Sequence, residues 1–175
     1  LEVAARAAVG AQPPHGIPAF GLTDWLVAGF RLTGLTASAR EVAERLASSS
    51  ADLPGPAHAM GLVLAGHGAL AGGRPREALE PLRDAWATLD GSEHEFRFRC
   101  RTLLATAYGL AGRAEAARAL LAGAERDRHP AYTLFAPDDV LALAWAATAD
   151  GAVSAAVRLA EDAAQTARRQ ESPAY

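Results

Sequence analysis

The chain has 175 residues and a formal net charge of −3, and all 17 of its basic residues are arginine. Without lysine it cannot form a P-loop, whose lysine reaches the phosphates, and its mild acidity is not the clustered basic surface of a nucleic-acid binder. With 44 alanines against five phenylalanines, three tryptophans and three tyrosines, the interior must consist of closely approaching helices, since alanine has the best intrinsic helix propensity.

In chain order, residues 1–9 are apolar or small apart from Glu2 and Arg6. They read as the second helix of a preceding unit, so the chain is taken as a piece of a longer protein. Gln12, Pro13, Pro14, His15 and Gly16 break that helix, because proline lacks the backbone donor and restricts the residue before it. The spacing then predicts helices over about 17–33 and 37–48, separated by Gly34, and over about 56–71 and 75–89, separated by Gly73. A third pair is expected over about 94–110 and 114–126. After an irregular segment around Asp127, His129 and Pro130, a fourth follows over about 137–149 and 152–170. Proline and acidic residues at 137–139 suit a helix N-terminus. Pro81 conflicts with a regular helix and is expected to kink it or remove a bond.

Gly34, Gly73, Gly112 and Gly151 recur every 39 residues, each followed five positions later by Ala39, Ala78, Ala117 or Ala156. Eight positions before them stand Leu26, Ala65, Leu104 and Leu143. A recurrence kept through four units is a repeat architecture. Pro-Ala-Phe at 18–20, Pro-Ala-His at 56–58 and Pro-Ala-Tyr at 130–132 and 173–175 echo the same register. The predicted architecture is all-α, a right-handed superhelix of antiparallel helix pairs in one domain over 1–175. Its units span about 1–16 (partial), 17–55, 56–93, 94–130 and 131–175.

Around each turn glycine, Phe30, Ala69, Tyr108 and Ala147 stand four residues before; Ala43, Leu82, Leu121 and Ala160 nine after; and Leu46, Ala85, Ala124 and Ala163 twelve after. This pattern resembles the tetratricopeptide repeat, a two-helix unit of about 34 residues. It departs in its longer period and in lacking the small glycine of the first helix except at Gly66. The segment 141–147, followed by Gly151 and 155–160, is similar to the helical repeat region of large LuxR-family transcriptional regulators of the MalT-like, ATP-binding type found in high-GC bacteria. That resemblance implies a nucleotide-binding domain upstream, a helix-turn-helix domain downstream, and a repeat region that senses an inducer or partner.

By the tetratricopeptide pattern, the first helix of each pair lines a concave face. Asp24, Ala28 and Arg31, then Met60, Val63 and His67, are placed there, with Arg99, Thr102 and Thr106 from the third pair and Asp138, Leu141 and Trp145 from the fourth. The residues expected to bind are Asp24, Arg31, Met60, His67, Arg99, Thr102, Thr106, Leu141 and Trp145. The expected occupant is a small-molecule inducer or a protein or peptide partner, engaged by arginine pairing and groove recognition.

Other constellations point away from chemistry. His94 and Cys100 are six apart and no second cysteine offers metal spacing. His58 and His67 belong to no His-Glu-x-x-His motif, and the serines at 48–50 form no nucleophile elbow. The alternation of phenylalanine and arginine over 96–101 reads as a charged helix start rather than a base-stacking surface. Trp25 and Trp86 read as packing anchors, whereas the register aims Trp145 at the groove. The expectation is therefore a non-enzymatic chain without cofactor, metal, direct nucleic-acid contact or membrane span, open to homo-oligomer formation. A lone cysteine fits a reducing cytoplasm. The alternative reading is a general tetratricopeptide-type interaction scaffold unrelated to transcription.

Overall fold

A computed structural model of the chain describes residues 17–92, 94–124 and 130–171. The expected helix over 1–9, the break at 12–16 and the terminal Pro-Ala-Tyr lie outside the described residues. Among the described residues there are eight α-helices, one 3-10 helix and no strand. The chain divides into two compact units between Leu89 and Asp90, each holding two helix pairs.

The first unit contains α1 (Ile17–Leu32), α2 (Thr36–Ser49), α3 (Pro56–Ala71) and α4 (Pro75–Leu89). The second contains α5 (Phe96–Leu110), α6 (Ala114–Leu121), the 3-10 helix (Pro130–Phe135), α7 (Ala136–Ala149) and α8 (Val153–Arg169). The 3-10 helix occupies most of what reads as an irregular segment and leads directly into α7.

Every pair turns in the same way. Gly34, Gly73, Gly112 and Gly151 have φ of 77°, 70°, 79° and 74°, the left-handed conformation that a side chain opposes. The next residue then closes the helix end: Leu35 N–H donates to the Phe30 carbonyl at 2.8 Å, Arg74 to Ala69 at 2.9 Å, Arg113 to Tyr108 at 2.8 Å and Ala152 to Ala147 at 2.9 Å. Four copies of one Schellman closure satisfy carbonyls that the helix ends would leave open.

Inside the first unit, Val27, Phe30, Ala39, Val42, Ala43 and Ala71 form a continuous core, with Leu26 and Leu35 packed against it. The helices approach so closely that α3 needs glycine on both flanks. A methyl group at Gly68 would lie 2.7 Å from Ala43 Cβ, and one at Gly66 would run into the Leu82 side chain. The second unit packs Ala105, Ala117, Leu121, Ala124, Ala142 and Ala146 in its interior.

Helix α4 spans Pro75–Leu89 with Pro81 inside it, the bounds that the spacing predicts. One detail differs from the sequence reading: α6 stops at Leu121 instead of reaching 126. Gly123 adopts a φ of 82° just beyond that stop, and residues 125–129 lie outside the described range.

Candidate partner-binding face and an aromatic–arginine recess

In the first unit the residues expected on an open face close a seam instead. Asp24 of α1 and His67 of α3 are 1% and 0% exposed, with His67 Nδ1 2.7 Å from Asp24 Oδ1. A carboxylate offers only acceptors, so Nδ1 carries the proton and donates it. Met60, Ala28 and Val63 are equally enclosed. The cause is packing of successive first helices against each other, which turns these positions into the joint between α1 and α3. Arg31 is half-buried in the last turn of α1, where a cation complements the negative end of the helix dipole.

The second unit repeats this arrangement with other residues. Arg99 Nη1 of α5 donates to Asp138 Oδ2 of α7 at 2.7 Å, and both side chains are buried. The guanidinium also lies 4.1 Å from the centre of the Phe135 ring, a cation–π contact strengthened by its desolvation. The Thr102 hydroxyl donates to the Asp139 carboxylate, and Thr106 donates to the Thr102 carbonyl at 2.9 Å. Arg101 Nη2 donates to the Ala124 carbonyl at 3.1 Å while its guanidinium sits 5.4 Å from the Phe98 ring. Tyr132 meets Phe96 edge-on at 6.3 Å and Phe135 at 6.1 Å.

These side chains surround a shallow open recess of about 10 Å³, room for roughly one water molecule, lined by Phe98, Arg99, Arg101, Thr102, Tyr132, Phe135 and Asp139. Arg99 and Thr102 are turned inward. The half-buried Phe98, Tyr132 and Asp139 complete its lining with two aromatic rings and one carboxylate. Cys100, next to the recess residues in sequence, is buried, and desolvation pushes its thiol far above the usual range, so it stays protonated and unreactive. Among the described residues no group of three or more His, Cys, Asp and Glu is placed to hold a metal.

Of the nine residues placed on the binding face, Asp24, Met60, His67, Arg99 and Thr102 are buried. Arg31, Thr106 and Leu141 are half-buried, and Trp145 is 41% exposed. Trp145 is held at a point of close helix approach: a methyl group at Gly109 would lie 2.8 Å from Trp145 Cβ and 3.0 Å from the Ala146 nitrogen.

Sequence reasoning missed Tyr132, Phe135, Arg101 and Asp139. Arg101 and Phe98 belong to the alternating stretch at the start of α5, where a spacing of three places them on one helical face. That spacing is a signal the sequence did carry.

The helix pairs, their shared closure and the small-residue seams define an all-α protein of tetratricopeptide-like repeats. A solved structure from Podosopora anserina, designated a kinesin light chain with nearly identical TPR-like repeats, has a similar fold. The two share 23% identity and a TM-score of 0.54, over 97% of this chain and 84% of that one. No protein-family model matches the chain, and no curated protein does. No helix of the described residues is long and apolar enough to cross a membrane.

Proposed function

We propose that this chain is a partner-binding repeat module, and more specifically the sensing region of a LuxR-family transcriptional regulator of the MalT-like type. The observation that carries the partner-binding reading is Trp145, a large apolar side chain held 41% exposed on a rigid seam between two first helices. Tryptophan in such a setting is the residue type that most often anchors a protein or peptide ligand. The half-buried Phe98, Tyr132 and Asp139 lie toward the opposite, N-terminal ends of the same two helices. The module acts by binding, without turnover. In a regulator, ligand would bias the repeat between shapes only to the extent that it prefers one of them.

The regulator reading rests on the sequence similarity of 141–160 and the 39-residue period. Two experiments test the proposal. Panning a random peptide library on the chain, with Trp145→Ala as counter-screen, should yield binders that lose the variant; binders indifferent to Trp145 would remove the anchor. The coding sequence on either side should contain a lysine-bearing P-loop upstream and a helix-turn-helix downstream. If neither is found, the regulator reading fails and a general interaction scaffold, favoured by the likeness to TPR-like repeats, stands in its place.

A further inference from the structure

We draw no further inference here: the strongest candidate, the exposed apolar side of α8 around Val153 and Val157, carries nothing because nothing in the structure shows what covers it.

Discussion

Arg99 and Asp138 stand one full repeat period apart, 39 residues, and meet inside the second unit at 2.7 Å with both side chains buried. Removing one partner leaves the other charge uncompensated away from water. Arg99→Ala or Asp138→Ala should therefore cost about 3–5 kcal/mol in a urea titration. Replacing the pair together, as Arg99→Met with Asp138→Leu, should give a chain as stable as the original or more so, since burying two ions recovers little of their desolvation cost. If the single variants lose no more than surface charges do, the pair is not the closed contact described here.

One repeat position should answer the same substitution with opposite signs. Gly68→Ala forces a methyl group to 2.7 Å from Ala43 Cβ, an overpacking that should destabilise by about 1–3 kcal/mol. Gly29→Ala, one period earlier, enters open space in a helix and should stabilise by up to about 1 kcal/mol. Thermal unfolding reads both. Equal effects would mean that the two glycines are not in different surroundings.

The turn glycines were legible in the sequence because a left-handed helix end has one cheap solution, and spacing alone located all four. Burial along the first helices was not legible. The 39-residue frame assigned Asp24, Met60, His67, Arg99 and Thr102 to a common face, but frame says nothing of what covers that face, and the neighbouring first helix does. Tyr132 and Phe135 escaped notice because a 3-10 segment has no apolar period to read. The early end of α6 escaped because helix-forming residues continue past Leu121, while Gly123 takes a left-handed conformation that local propensity does not reveal.

Trp145 should separate binding from stability. A fully enclosed tryptophan loses roughly 3–5 kcal/mol on truncation to alanine. Trp145 is 41% exposed, so Trp145→Ala should cost about 2 kcal/mol or less by the area it gives up. The fold, followed by far-ultraviolet circular dichroism, should remain intact while peptides selected on the unaltered chain no longer bind. A loss of stability in the fully buried range would place the indole in the core and remove it as an anchor.

Cys100 gives the chain a defined response to alkali. Burial pushes its thiol far above the ordinary value of 9.0 in the folded state, whereas the unfolded chain exposes it at that ordinary value. Above about pH 9 the unfolded state therefore holds fewer protons than the folded one, and stability must fall as pH rises. The slope contributed by one such group is about 1.4 kcal/mol per pH unit. Below the ordinary thiol value both states are protonated and the contribution vanishes. Tyrosines ionise in the same range, so the test is the difference between the unaltered chain and Cys100→Ala, with urea midpoints measured from pH 7 to about 10.5. The unaltered chain should lose stability faster above pH 9, and the two curves should run parallel below it. In the same pH 7 sample, a thiol-reactive disulfide reagent should label Cys100 only as fast as the chain unfolds; rapid labelling of the native chain would contradict the burial on which the argument rests.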